Sequence, residues 1–258
     1  MNKTVPFKDN YDLIKSINKY SDIILYISAI IVLATFILSN FTDSFKDIIE
    51  YVLKANSILI IAFLIMNLIK DCLLFNAGKK KRLDFIDNAF GAFMTTEHSK
   101  GYFSNENIQS GIYKMAVNGF ENVFFSLNIS RKMVVRTLII NIVILFIFLS
   151  SAIYGLDNLV VLIIQLTLPA IMLQQIIKLV LLINNLDNVY HKYCSLFNDL
   201  KIGNVIECKI PAMISNLIEY ETALTWGNVL LSEKIYNELN PLLSKKWEEI
   251  KKECEITQ

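Results

Sequence analysis

Two carboxylates three residues apart, Asp84 and Asp87, are the pair in this sequence best spaced to act together. On a helix they would share one face, where two acidic groups can hold a divalent cation. The same pair can equally cap a helix or form an ion pair with Arg82. No histidine stands at a spacing that completes a set of metal ligands, so the sequence predicts no metal site.

Groups suited to catalysis are otherwise scarce. The chain has two histidines, His98 and His191, and His191 stands three residues before Cys194, which is too few ligands for a zinc site. No glycine-rich phosphate loop, metalloprotease, serine hydrolase or kinase motif is present. The sequence therefore predicts a protein that is not an enzyme, with no catalytic residue and no cofactor.

Polar side chains inside strongly apolar runs are the second kind of candidate. Asn56 and Asn67 are eleven residues apart, about three helical turns, and therefore share one face. Amides in a lipid-embedded helix normally form hydrogen bonds to neighbouring helices, which favours a packing role. Lining a pore is the alternative.

A later apolar run, 159–183, carries more polar groups than its neighbours. Pro169 removes a backbone donor and predicts a kink. Polar groups in its inner half would form a water-facing surface, although helix packing explains them about as well. With the two asparagines, the predicted pore or gating residues are Asn56, Asn67, Gln165, Pro169, Gln174, Gln175 and Lys178.

Four apolar runs must position these residues. The chain is 54% hydrophobic, above the roughly 45–50% of soluble domains. The runs 23–41, 48–69, 133–154 and 159–183 are each near the roughly 20 residues that a helix needs to cross a bilayer. They predict an all-α membrane protein with four transmembrane helices in two hairpins, a helical cytoplasmic middle segment and a helical C-terminal tail.

The distribution of Lys and Arg sets the predicted topology. Residues 1–22 carry four, 70–136 carry ten and 178–258 carry nine, whereas 42–50 carry one and 155–158 none. The positive-inside rule therefore places both termini and the middle segment in the cytoplasm of a multi-pass inner-membrane protein. The net charge of +1 gives no reason to expect dedicated nucleic-acid binding. All four cysteines fall on the cytoplasmic side or at its boundary, which predicts free thiols.

The sequence thus divides into five segments. They are a cytoplasmic amphipathic leader (1–22), a first hairpin (23–75), a cytoplasmic segment rich in aromatic residues (76–132), a second hairpin (133–184) and a cytoplasmic helical tail (185–258). The tail pattern predicts helices over 213–231, 233–239 and 244–254, with Asn240-Pro241 breaking the last two apart. Trp226, Tyr236 and Trp247 are predicted to pack the tail against the aromatic segment.

The aromatic segment allows two interpretations. Its Phe and Tyr residues can form a small core or a subunit interface, or else a stacking pocket for a nucleotide base. The basic run 79–82 that precedes them reads as a topology anchor that attracts anionic lipid, and contact with a phosphate-bearing ligand is the alternative.

Several short stretches resemble one protein family. They are Arg82-Leu-Asp84-Phe-Ile-Asp87-Asn-Ala-Phe90-Gly91, Gly101-Tyr102-Phe103, Gly119-Phe120-Glu121-Asn122, and Leu231-Ser232-Glu-Lys-Ile235-Tyr236 followed by Asn240 and Trp247. Together with the two hairpins, they are similar to the predicted four-transmembrane effectors of bacterial antiviral operons, including those associated with SMODS nucleotide-second-messenger synthases.

The resemblance implies an oligomeric effector that permeabilises or depolarises the inner membrane when a cytoplasmic signal arrives. The signal would be a nucleotide second messenger or a partner protein, and the candidate binding residues are Arg82, Asp84, Asp87, Tyr102, Phe103, Glu121 and Asn122. A non-conducting scaffold that recruits a cytoplasmic enzyme is the main alternative. A small-solute transporter is disfavoured because four spans leave little room for a site and no inverted repeat is evident.

Overall fold

The computed structural model describes the backbone of residues 7–41, 45–99, 105–154, 159–203 and 205–256, and the side chains of these ranges except 36, 39–41, 147–154 and 159–169. Across these ranges the chain forms α-helices and no strand, which confirms the predicted all-α class. The helices are α1 (Lys8–Phe41), α2 (Lys46–Phe90), α3 (Ile112–Tyr154), α4 (Leu159–Lys201), α5 (Ile206–Gly227) and α6 (Glu233–Glu253).

Three of these helices contain stretches that are long and apolar enough to cross a membrane. Among the described residues these stretches are Lys8–Thr35, Lys46–Phe90 and Ala170–Lys201. Only 11% of the most apolar window of α2 is buried, so its hydrophobic side chains face outward, as they do in a helix surrounded by lipid. The expected count was four. The remaining predicted span, 133–154, ends in side chains outside the described residues.

The chain divides into two compact units. One comprises Met1–Tyr11, Leu74–Val134 and Lys178–Gln258, and is called the aromatic unit here. The other comprises Asp12–Leu73 and Val135–Ile177, and is called the apolar unit. Within α1, the residues up to Tyr11 belong to the aromatic unit and those from Asp12 onward to the apolar unit.

Four helices contribute to the interior of the apolar unit. Its buried hydrophobic cluster combines Leu25, Ala29 and Val32 of α1 with residues from the other three helices, namely Ile60, Phe63, Ile144 and Met172. Apolar side chains also face outward from this unit, because Ile30, Ile58 and Ile139 are more than half exposed. An apolar exterior of this kind suits a hydrocarbon solvent rather than water.

The aromatic unit is built around Phe120 of α3. Its ring stacks on those of Tyr193 and Phe197 of α4, with centroids 5.5 and 5.4 Å apart, and meets the edge of Trp247 of α6 at 5.2 Å. Offset and edge-on pairs of this kind stabilise a core beyond the area that they bury. Residues from α3, α4, α5 and α6 therefore share one core, as expected if the aromatic segment packs with the tail.

The three predicted tail anchors behave differently. Trp247 is 1% exposed, and the Tyr236 ring lies 6.3 Å from that of Phe125, so these two predictions are confirmed. The prediction for Trp226 is wrong, since its side chain is 55% exposed. Trp226 lies near the end of α5, one residue before the buried Gly227, on a different face of the helix.

The predicted break at Asn240-Pro241 is also wrong, because α6 continues through Pro241. Proline removes one hydrogen bond to the carbonyl four residues earlier, that of Asn237. Both Asn237 and Pro241 are exposed, so water can satisfy that carbonyl, while Leu243 and Trp247 hold the other face in the core. Pro211 is likewise inside α5, which begins seven residues before the predicted start at 213.

Candidate functional site

A row of small polar residues runs along α1 inside the apolar unit. Ser21, Ser28 and Thr35 are seven residues apart, about two turns, and therefore share one face. All three are buried. Thr35 donates its hydroxyl proton within its own helix, to the carbonyl oxygens of Ile31 and Val32 at 2.9 and 3.0 Å. The sequence interpretation overlooked this row, although its seven-residue spacing was visible in an otherwise apolar run.

Asn67 of α2 joins the row at one end. Its Nδ2 donates to Ser21 Oγ at 3.0 Å and to the Phe63 carbonyl at 3.0 Å, while its Oδ1 accepts from Lys70 Nζ at 2.8 Å. This is the cross-helix hydrogen bond expected of a buried amide between apolar helices. Nearby, Asn18 donates to Asp22 at 3.0 Å, and Asp22 and Lys70 attract each other.

Asn56 lies further along the same contact between α1 and α2. The two helices are consecutive, and Ser21 and Asn67 lie at about the same distance from the connection between them, so the bond requires the helices to run antiparallel. Asn56 is eleven residues before Asn67, so on the antiparallel α1 it lies opposite Val32, which is eleven residues after Ser21. This places Asn56 between Ser28 and Thr35. Asn56 is buried, and within the described part of the chain neither its Oδ1 nor Ser28 Oγ has a hydrogen-bond partner.

Asn141 places a further amide in the interior from α3. It is buried, and Ile144, three residues later on the same face, belongs to the core of the unit. We call this set of buried hydroxyl and amide residues the polar seam: Ser21, Ser28, Thr35, Asn56, Asn67 and Asn141.

The described gating candidates of α4 are not part of the polar seam. Among the described α4 side chains of the apolar unit Met172 is buried, whereas Gln174 is exposed on another face and Gln175 is half-buried. Lys178 belongs to the aromatic unit and is half-buried. The side chains of Gln165 and Pro169 lie outside the described residues. The structure thus brings together Asn56 and Asn67 of the predicted set.

The chemistry of the polar seam is that of neutral hydrogen-bonding groups. Hydroxyl and amide oxygens can replace part of the hydration shell of water or of a small cation. Without a partner in an apolar environment each such group costs roughly 2–7 kcal/mol, depending on the reference state. The polar seam is therefore suited to hydration, and its two unpartnered oxygens are the atoms that water would satisfy first.

In the aromatic unit, Asp84 and Asp87 hold the loop that follows α2. Asp87 accepts from the backbone N–H groups of Met94 and Thr95 at 2.7 and 2.8 Å and from the Thr95 hydroxyl at 2.6 Å. Asp84 accepts from the Ser99 N–H at 2.7 Å. Both carboxylates are buried. They neither form an ion pair with Arg82 nor cap a helix, and they serve instead as a clamp on residues 94–99.

Hydrogen bonding decides the charge of Asp87. Burial opposes ionisation, but the bonds from Thr95 and Met94, helped by His98 at 3.4 Å, lower the pKa of this carboxyl below its ordinary value. Asp87 therefore remains a carboxylate at neutral pH and accepts all three bonds.

Two more of the predicted binding residues, Arg82 and Glu121, have partners inside the aromatic unit. Arg82 meets Glu221 at 3.4 Å and Thr225 at 3.2 Å. Glu121 accepts from Asn105 at 2.6 Å, and Asn105 is bonded to the fully buried Asn118 at 3.0 Å. Asn122 is half-buried. Tyr102 and Phe103 lie outside the described residues.

Other reactive groups are dispersed. No cluster of three or more metal-ligating side chains occurs in the described ranges. His191 is exposed and lies 3.8 Å from Asp187. Cys72 and Cys208 are exposed thiols, and Cys194 and Cys254 are half-buried thiols. Burial raises the pKa of the Cys254 thiol, which reduces its reactivity.

No protein-family model, no curated protein and no solved structure matches this chain.

Proposed function

We propose that this protein is a membrane effector whose apolar unit opens a path for water and small ions across the bacterial inner membrane. The observation that carries this proposal is the pair of buried oxygens, Ser28 Oγ and Asn56 Oδ1, that have no partner among the described residues. They lie in a polar seam inside helices whose outer surface is suited to lipid. Polar groups buried among membrane helices are costly, which favours a functional role for the two that lack a partner.

The mechanism we propose is a shift between two packings of the apolar unit. In the closed packing, two unpartnered groups together cost several kcal/mol. In the open packing water enters the polar seam and removes that cost. A signal favours the open packing only as far as it binds that packing more tightly, and a change from 1:99 to 99:1 needs about 5.5 kcal/mol.

The wider setting of the proposal comes from the sequence. Four spans with both termini in the cytoplasm follow from the four apolar runs and the distribution of Lys and Arg. Four helices enclose too little space for a wide pore, so the effector would act as a homo-oligomer in the lipid bilayer. The resemblance to antiviral effectors supports a role in antiphage defence, with a nucleotide second messenger or a cytoplasmic protein as the signal.

Leakage from proteoliposomes tests the proposal. Vesicles that contain the oriented protein and a potassium-sensitive dye would be exposed to a panel of cyclic oligonucleotides. We expect one of them to trigger potassium flux, and we expect Asn56→Leu to reduce that flux at least tenfold because the apolar side chain removes a hydration site of similar size. Ser57→Ala is the matched control, since the Ser57 hydroxyl bonds to its own helix at the Leu53 carbonyl.

Two results would contradict the proposal. The first is undiminished flux through Asn56→Leu protein, which would show that the polar seam does not line the path. The second is the absence of flux with every signal tested, in vesicles where protease protection shows correct insertion.

One observation favours a second candidate, a scaffold that recruits a cytoplasmic protein. Phe93 is 86% exposed on the loop that Asp84 and Asp87 hold. A rigid loop that presents an aromatic side chain loses little entropy on binding. Capture of one soluble partner by the wild-type protein, lost in Phe93→Ser and kept in Thr96→Ala, would support the scaffold if it occurred without any flux.

A further inference from the structure

Lys70 places a positive charge at one end of the polar seam, one helical turn after Asn67 on α2. Its Nζ donates to Asn67 Oδ1 at 2.8 Å. It is also attracted by the carboxylate of Asp22, the residue that follows Ser21 on α1. Lys70 and Asp22 are both half-buried, so water can still approach the place where their charges meet.

The two groups that attract Lys70 are held in place by other residues. Asn67 Nδ2 uses both of its hydrogens, one to Ser21 Oγ and one to the Phe63 carbonyl, each at 3.0 Å, which fixes Oδ1 as an acceptor. One oxygen of Asp22 accepts from Asn18 Nδ2 at 3.0 Å. None of these bonds involves the ammonium group, so the two acceptors keep their positions when that group moves away.

An ammonium group and a potassium ion are similar in charge and size, and both bind amide and carboxylate oxygens. Without the charge of Lys70, the pair formed by Asn67 and Asp22 carries one negative charge. A site of this charge attracts a single monovalent cation and repels chloride. The ammonium group of Lys70 therefore marks a position suited to a small cation.

We propose that Asn67 and Asp22 form a monovalent-cation site at this end of the polar seam, and that Lys70 occupies it as a tethered cation in the closed packing. When the side chain of Lys70 moves away, a potassium ion takes its place, held by the oxygens of Asn67 and Asp22 and by water. Asp22 then makes the proposed path selective for cations over anions. The selectivity rests on the proposed function, whereas binding of the cation does not.

Another lysine of α2 shows the ordinary alternative, a pair on the surface of a single helix. Lys54 lies 2.7 Å from Glu50, one turn earlier on the same helix, and its side chain is 63% exposed. Exposed pairs of this kind contribute little to stability. Lys70 differs because Asn67 connects it to α1 through Ser21. Lys54 therefore provides a matched control outside the site.

Thermal unfolding of the full chain in lipid nanodiscs tests the site without requiring conduction. Lys70→Met keeps the length of the side chain and removes its charge, so the site becomes available to an added ion. Compared with choline chloride at equal ionic strength, potassium chloride should raise the unfolding midpoint of this variant by about 3 °C or more. The wild-type protein, whose own ammonium group fills the site, should show no such difference.

Three further variants complete the experiment. Lys54→Met, the matched control, should unfold at the same temperature in both salts. Addition of Asp22→Asn to Lys70→Met should abolish the potassium response, because the site then carries no charge. Lys70→Ala should respond to potassium as Lys70→Met does, which provides a second measurement if the methionine variant folds poorly.

Equal midpoints of Lys70→Met and Lys70→Ala in the two salts would overturn the proposal. A potassium response of the same size in Lys54→Met, or one that persists after Asp22→Asn, would also overturn it. Flux through the wild-type protein without a potassium response in the Lys70 variants would contradict the site and leave the proposed function standing. A potassium response without flux under any signal would support the site and contradict the proposed function.

Selectivity is measured in the same vesicles that test conduction. In protein that conducts, Asp22→Asn should lower the ratio of potassium to chloride permeability at least fivefold, because the carboxylate no longer favours cations at the end of the polar seam. Ser57→Ala should leave this ratio unchanged. An unchanged ratio in Asp22→Asn protein would show that this carboxylate does not select the ion.

Discussion

Asp87 shows what a single buried carboxylate does in this protein. Its three hydrogen bonds come from residues seven and eight positions later. Asp87→Asn can accept some of these bonds but leaves a buried donor without a partner, which costs about 1–3 kcal/mol. We expect the loop to open and chymotrypsin to cleave at Phe93 at least tenfold faster. Glu97→Gln, an exposed change on the same loop, should leave the cleavage rate unaltered.

The lowered pKa of Asp87 gives this loop a defined pH dependence. A carboxyl whose pKa is lower in the folded state stabilises that state above its unfolded pKa, near 3.9, and the contribution disappears as the pH falls through the folded value. Hydrogen exchange at the Met94 and Thr95 amides should therefore stay slow from neutral pH to about 4 and accelerate below it. If Asp87→Asn protein shows the same acid step, another group is responsible.

Gly119 and Tyr193 form a second residue-scale test. A Cβ at Gly119 would lie 2.5 Å from the Tyr193 hydroxyl oxygen and 3.2 Å from its ring. Tyr193 is fully buried, and its hydroxyl has no partner among the described residues. We expect Gly119→Ala to lower the free energy of unfolding by about 1–3 kcal/mol, as overpacking does.

The rescue variant for that pair is Tyr193→Phe. Removing the hydroxyl relieves the closest contact and deletes an unsatisfied buried group, so the double variant should recover at least half of the loss in chemical denaturation. Additive losses in the two variants would show that the hydroxyl is not the obstacle.

At this scale the sequence predicted positions better than partners. Asp84 and Asp87 both bond to the loop that follows α2, a role that the sequence interpretation did not include, and Asn67 forms a cross-helix bond of the kind expected for a packing role. Their partners lie in a loop and on another helix, and no periodicity in the chain specifies such contacts. The seven-residue spacing of Ser21, Ser28 and Thr35 is visible in the sequence, but these residues are easily taken for ordinary small residues in an apolar helix.

At the scale of elements, the two tryptophans make a matched comparison. Trp247 of α6 is buried against Phe120 and Phe124, whereas Trp226 of α5 is exposed. We expect Trp247→Ala to destabilise the aromatic unit by about 3–5 kcal/mol, and Trp226→Ala to change its stability by less than about 0.5 kcal/mol, as exposed substitutions usually do. Limited trypsin digestion compares them directly. Trypsin resistance in Trp247→Ala equal to that of wild type would contradict the packing role.

The helical period explains why only part of the tail was predictable. Ile235, Leu239, Leu243 and Trp247 recur every four residues, which indicates one continuous buried face across Pro241. The dipeptide Asn240-Pro241 outweighed that pattern in the sequence interpretation. Proline breaks a helix when its missing donor and its ring are confined, and here the proline lies on the solvent side.

At the scale of the whole molecule, the four apolar runs and the distribution of Lys and Arg predict a topology that can be tested. Asp157→Cys lies in the connection 155–158, outside the described residues. We expect a membrane-impermeant maleimide to label this variant in intact spheroplasts. Wild-type protein, whose exposed thiols are Cys72 and Cys208, should be labelled only after lysis. Labelling of the wild-type protein in intact spheroplasts would show that its orientation is the reverse of the predicted one.

The division into two units imposes an order on biosynthesis. The aromatic unit draws on three separated parts of the chain, and both parts of the apolar unit are synthesised before its last part. At 5–20 residues per second, Phe124 waits roughly 6–25 s for the ribosome to reach Trp247. During that interval the ring of Phe124 lacks its α6 partner. Ribosome stalling before α6 should therefore yield chains whose aromatic unit is protease-sensitive, so the core of that unit closes only when translation is complete.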